Sequence, residues 1–283
     1  MIRGEFPKNI FGVTDARSGS TYLFDSIAKV MRKINHNHVY LFEGFHPYYQ
    51  KRHIRLDKNQ EIFCDRTEIE ALPDQERPKV KYAQRNEVSN HICDCMINAK
   101  NSWSLKMFPV HYNTAPHNKI HYLLNQKSTY NVFLYRKDLE DKILSKLFAE
   151  KSKLYNTEDK KDISETYENF SITYRKDYDH YFIREYLRYS IELKKLYPYT
   201  VWDQVYCYED LTGDPVTDLT PIFGDKTQEY WSLTRGDHFQ KALNKQDKID
   251  RMTNYQEFEN DLWEHLKFLG LNDKMLEVEK NAE

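Results

Sequence analysis

The chain has 283 residues, with 42 Lys and Arg against 44 Asp and Glu, a formal net charge of −2. That near balance argues against a dedicated nucleic-acid binder, which carries a net basic face, and no apolar run approaches the roughly 18 residues that a membrane helix needs. The four cysteines make no disulfide framework and the N-terminus lacks the apolar stretch of a secretory leader, so the expected location is the cytoplasm.

Asn9 to Thr14 is a short apolar run that predicts a buried strand. After the small, polar segment Asp15 to Ser20, the residues Leu23, Phe24, Ile27, Val30, Met31 and Ile34 recur at helical spacing. Val39 to Phe42 predicts a second strand, ending at Glu43-Gly44. Residues 45–100 hold Pro47, Pro73 and Pro78 and much charge, which predicts a long insertion with one helix near Arg85–Lys100. Trp103 to Phe108 predicts a third strand and 116–126 a helix. Tyr130 to Tyr135 predicts a fourth strand, apolar enough for burial on both faces. A helix follows from Asp138 to Tyr155, and 156–177 is polar without a period. Phe182, Tyr186, Tyr189, Leu193 and Leu196 mark a helix that Pro198 stops. Thr200 to Tyr208 predicts a fifth strand, and 211–283 a mainly helical region with a loop around 224–250. Strands alternating with helices predict an α/β fold around a central parallel sheet, a single domain over 1–283 with insertions in 45–100 and at 156–177.

Glycine is scarce, at 8 residues, so the compact cluster Ser18-Gly19-Ser20-Thr21 stands out. A loop between a strand and a helix aims backbone N–H groups at one spot, at the positive end of the helix dipole. Gly19 permits close approach, Ser18, Ser20 and Thr21 add hydroxyls, and Arg17 adds a planar cation suited to phosphate or sulfate oxygens. The segment is either such an anion cradle or a plain helix cap. It is not a Walker A motif, whose lysine is missing. A second basic pair, Arg136-Lys137, closes the fourth strand, and Ser145 lies about two and a half helical turns beyond it. Ligands of open α/β sheets bind outside the carboxyl ends of the strands. Two arginine-bearing strand ends therefore imply a ligand with two separated anionic groups. His91-Ile92-Cys93-Asp94-Cys95 and the pair His117 and His121 lack the partners of a metal centre, and no metal is expected.

Together these residues resemble a known family. Arg17-Ser18-Gly19-Ser20-Thr21 looks like the 5′-phosphosulfate loop of sulfotransferases, and Arg136 with Ser145 resembles their 3′-phosphate motif, close to the spacing in bacterial trehalose and nodulation-factor members. Tyr208-Glu209-Asp210-Leu211 is similar to the Tyr-Glu-Asp-Leu that ends a late strand of the family. The resemblance implies a P-loop-like three-layer fold and the donor 3′-phosphoadenosine 5′-phosphosulfate (PAPS), with 3′-phosphoadenosine 5′-phosphate (PAP) as product. It implies transfer of a sulfuryl group to a hydroxyl or amine. Arg17, Ser18, Gly19, Ser20 and Thr21, with Tyr22 beside them, would hold the 5′ end of the donor, Arg136 and Ser145 the 3′-phosphate, and Tyr208 would lie near the adenine. Lys241 to Asn254 would return over the nucleotide. Where the family often has Pro before the loop Arg, this chain has Ala16, which implies a looser loop.

Sulfuryl transfer, like phosphoryl transfer, has a loose transition state governed by positioning and charge. It needs a base for the acceptor and positive charge on the transferred oxygens. Glu43 at the end of the second strand is favoured as base over His46, three residues on, and Lys106 in the third strand points either to the site or to solvent. The insertion at 45–100 is expected to shape a pocket for a small-molecule or carbohydrate acceptor, with His46, Tyr48 and Tyr49 suited to stacking on a ring. The rival readings are an atypical P-loop kinase and a nucleotide-binding protein without turnover on the same scaffold.

Overall fold

The computed structural model describes residues 6–43, 45, 54–57, 60–62, 89–112, 115–153, 170–232 and 244–278. The chain opens with β1 (Asn9–Thr14), α1 (Ser20–Ile34) and β2 (Val39–Tyr40). A two-stranded hairpin, β3 (Ile54–Asp57) and β4 (Gln60–Ile62), and a helix α2 at 89–98 lie in the predicted insertion. β5 (Trp103–Met107), α3 (Pro109–Tyr112), α4 (His117–Leu124), β6 (Thr129–Tyr135) and α5 (Leu139–Ser152) follow. Then come α6 (Lys176–Leu196), β7 (Gln204–Cys207), α7 (Pro215–Phe223), α8 (Thr227–Ser232), α9 (Lys245–Asp250) and α10 (Tyr255–Phe268).

Five strands form one sheet in the order β2-β5-β1-β6-β7, and every pair is parallel. Alternation along each strand makes two faces. Ile10 of β1, with Val132 and Leu134 of β6, meets Leu23, Phe24, Ile27 and Met31 of α1 and Leu219 and Phe223 of α7. Phe11, Val13 and Phe133 point the other way, toward Ile92 and Met96 of α2, Ile120 and Leu123 of α4 and Leu193 of α6. Helices on both faces give three layers, the predicted α/β class with its P-loop-like sheet. A further apolar cluster joins α5, α6 and α10 through Ile143, Leu147, Ile183, Leu187, Phe258 and Leu262, all closed to solvent. Gly12 serves close layer packing: a Cβ there would lie 2.0 Å from the Phe24 ring.

Some boundaries differ from expectation. β2 stops at Tyr40 because Phe42 takes φ 53°, although Lys106 N still donates to Phe42 O at 3.0 Å. α5 ends at Ser152, where Lys153 turns left-handed at φ 62°. The expected loop around 224–250 holds two helices, α8 and α9. α9 is short and weakly patterned, but Asn244 and Asp247 close a reciprocal capping box at its start.

Candidate functional site

In an all-parallel sheet every carboxyl end lies on one edge. The loop after β1, Glu43 beyond β2, Lys106 in β5, Arg136 after β6 and Tyr208 after β7 therefore converge there. The chain leaves β1 for one side of the sheet and later crosses to the other through β6. The end of β1 is thus a topological switch point, where open α/β sheets bind ligands.

The loop from Asp15 to Gly19 has two left-handed residues, Arg17 at φ 62° and Gly19 at φ 74°. Gly19 immediately precedes α1 with no side-chain cap, so the helix start is not closed over by a side chain of its own. A Cβ on Gly19 would lie 2.7 Å from the Tyr208 ring, so only glycine lets the loop pack this closely against that ring. Ser18 is turned inward: its hydroxyl donates to Asp15 O and lies 2.8 Å from Thr14 Oγ1. Beneath the loop, Asp15 pairs with Lys142 of α5, and Ser190 of α6 donates to the same carboxylate at 3.2 Å. Burial lowers the Lys142 pKa against the pull of Asp15. The looseness expected from Ala16 meets these ties, and Arg136 adds one by donating to Arg17 O at 2.8 Å.

Lys106 is fully buried and points to the site, opposite Gly12 in the sheet register. Its Nζ lies 3.1 Å from Thr21 Oγ1 and 3.1 Å from Glu43 Oε1, and 4.2 Å from the centre of the Phe42 ring. Burial lowers its pKa, and Glu43 opposes that shift. The positive φ at Phe42 swings Glu43 to this cation, a turn that no residue preference announced. Tyr22 faces elsewhere: its hydroxyl donates to Asp218 of α7 at 2.6 Å, and burial followed by that carboxylate raises its pKa. His46, Tyr48 and Tyr49 lie outside the described residues.

Arg136 forms the second centre, only 3% exposed. Its guanidinium stacks on Tyr208, 4.3 Å from the ring centre. It donates to Ser145 Oγ at 3.2 Å and to Asp141, and Glu209 stands 3.9 Å from its Nε. Glu209 is fixed by the backbone N–H groups of Lys137 and Asp138, at 3.0 and 2.9 Å. Lys248 of α9 joins the group, 2.6 Å from Asp141 Oδ1 and 2.9 Å from Ser145 Oγ. Burial lowers its pKa to about 8, with Asp141 opposing and Arg136 adding. The resemblance pointed to a segment, Lys241 to Asn254, without a residue; the capping box Asn244-x-x-Asp247 was the signal that could have placed Lys248 on a helix.

No family model matches the sequence, and no curated protein matches it. Among solved structures the chain is similar to retinol dehydratase in a complex with retinol and PAP, at 15% identity and a TM-score of 0.41. It is also similar to retinol dehydratase in complex with androsterone and the inactive cofactor PAP, at 15% identity and a TM-score of 0.39. Each comparison covers 93% of this chain and 82% of the other. Among the described residues no helix is long and apolar enough to cross a membrane.

Proposed function

We propose that this chain is a sulfotransferase using PAPS, with a hydroxyl or amine of a small-molecule or carbohydrate as acceptor. The observation that carries the reading is a pair of cationic groups on one sheet edge, Arg17 beside the uncapped α1 start and Arg136 with Ser145 and Lys248, with the Tyr208 ring between them. The basic groups on either side of the Tyr208 ring suit a nucleotide with anionic groups at its 5′ and 3′ positions.

PAPS would supply the transferable sulfuryl group. The residues supply position and charge. Arg17 and the N–H groups at the start of α1 hold the 5′ end, and Arg136, Ser145 and Lys248 the 3′-phosphate. Glu43 takes the acceptor proton as the acceptor oxygen or nitrogen would attack the sulfur in line, the bond from sulfur to the 5′-phosphate breaking and PAP leaving. Lys106 stands between Thr21 and Glu43, so an anion at the α1 start competes with Glu43 for its charge. As Lys106 turns to that anion, Glu43 loses a stabilising cation and becomes a stronger base. Base strength is thereby tied to an occupied donor site.

The test is thermal unfolding with and without PAP, with ATP and magnesium alongside. A ligand at 100 times its dissociation constant stabilises by about 2.7 kcal/mol. A shift with PAP that Arg136→Ala removes is the expected result; a shift with ATP alone overturns the reading in favour of a kinase. Glu43→Gln is expected to keep the PAP shift and to lower sulfuryl transfer by about 10²–10⁴-fold. Full transfer in that variant rejects Glu43 as the base.

A further inference from the structure

Asp141 stands where an anion would be expected. Its Oδ2 accepts from Arg136, and its Oδ1 lies 2.6 Å from Lys248 Nζ. The two carboxylate oxygens thus bridge the two cations of the second centre, much as two oxygens of a phosphate would. Burial pushes the Asp141 carboxyl up, but Arg136 and Lys248 outweigh it and hold the group below the usual carboxylate range. Glu209 is committed differently, since it accepts the backbone N–H groups of Lys137 and Asp138. The Asp141 side chain accepts only from the two cations among the bonds described. The backbone N–H of Asp141 is satisfied separately by Asp138, so helix capping does not depend on the Asp141 carboxylate.

We propose that Asp141 is a specificity-determining residue, an internal counterion that a 3′-phosphate must displace or share with Arg136 and Lys248. This rests on the reading that the site takes a 3′-phosphorylated nucleotide. With Asp141 in place, both cations have an anionic partner in the free protein, and a ligand bearing a 3′-hydroxyl leaves no buried charge unpaired. A 3′-phosphate gains the two cations but meets a like charge beside them, which weakens its advantage. Asp141 thus narrows the discrimination between nucleotides with and without a 3′-phosphate, and stabilises the free protein by pairing two buried cations.

The experiment compares wild type with Asp141→Asn, which keeps size and one acceptor oxygen, and with Asp141→Ala. Calorimetry measures the dissociation constants of PAP and of adenosine 5′-phosphate for each, and thermal unfolding follows the free proteins. The expected result is PAP binding at least about tenfold tighter in Asp141→Asn, adenosine 5′-phosphate binding unchanged, and a lower midpoint for the free variant. PAP binding that weakens or stays constant in both variants, while wild type binds PAP, overturns the inference and leaves the functional reading standing. Equal tightening of both nucleotides also overturns it, because the effect would not belong to the 3′-phosphate. PAP binding seen only in the variants supports it, as a counterion strong enough to block the site. Binding of PAP by none of the three proteins overturns both.

Discussion

Lys248 shows how burial and charge contend over one ammonium. Asp141 and Ser145 face it from α5, Arg136 from the end of β6, and the Arg17 charge from the β1 loop. Its folded pKa of about 8 lies below the roughly 10.4 of an exposed lysine. Between those values the unfolded chain holds more protons than the folded one, so the Lys248 contribution to stability rises as pH climbs from about 8 to 10. Below pH 8 both states are protonated and the cost of the buried cation is felt in full. Anion binding runs the other way. A phosphate at the second centre favours the charged form, so PAP affinity falls with pH above about 8, by up to about tenfold per unit. The 3′-phosphate is already fully charged there and adds no slope. Lys248→Met is expected to weaken PAP at pH 7 and to flatten both slopes, read by calorimetry and urea unfolding from pH 7 to 10. An unchanged affinity profile in the variant would reject Lys248 as the titrating group.

At the scale of elements, Lys142 joins three of them. It reaches from α5 to Asp15 in the β1 loop and to Ser190 of α6, with no solvent contact. Removing one partner of such a pair leaves the other buried and uncompensated. Lys142→Met is therefore expected to cost about 3–5 kcal/mol, and Lys142→Met with Asp15→Asn less than that, measured by urea unfolding. A larger loss in the double variant would mean that the pair is not the source of the effect. Most elements here were legible in sequence because their apolar residues follow a period: β1, β6, α1 and α6 are where Asn9–Thr14, Tyr130–Tyr135, the Leu23–Ile34 stripe and the Phe182–Leu196 stripe put them. The loop cluster and Arg136 were legible from residue type at a strand end. What stayed hidden arises from backbone turns and long-range pairing. The left-handed turn at Phe42 that delivers Glu43 to Lys106 uses a residue with no preference for it. Lys142 and Asp141 sat in the sequence as ordinary helix-surface charges, and only the fold brings Asp15 and Lys248, 127 and 107 residues away, to meet them.

For the whole molecule, the C-terminal region belongs to the core rather than to its margin. Phe258, Leu262 and Leu266 of α10 join one apolar cluster with residues of α5 and α6, and Met275 forms a β-bridge with Asp138 beside the second centre. Leu139 N donates to Lys274 O at 2.9 Å and Leu276 N to Lys137 O at 2.8 Å, so the tail fixes the start of α5. Phe258→Ala is expected to cost about 3–5 kcal/mol and to weaken PAP binding, with fluorescence and circular dichroism reporting one coincident urea transition. A separate early transition would mark the C-terminal helices as an independent unit. The position of β1 has a further consequence, for how the chain comes to be folded at all. β1 is made first yet lies in the middle of the sheet, between β5 and β6. Its neighbours emerge from a ribosome on the order of ten seconds later at typical elongation rates. Until then β1 has α1 beside it in the chain but neither of its two neighbouring strands, and the cradle at its end has no second centre. The earliest-made segment of the site is completed only when the last helices dock, so a truncated nascent chain carries the cradle motif without its assembled site.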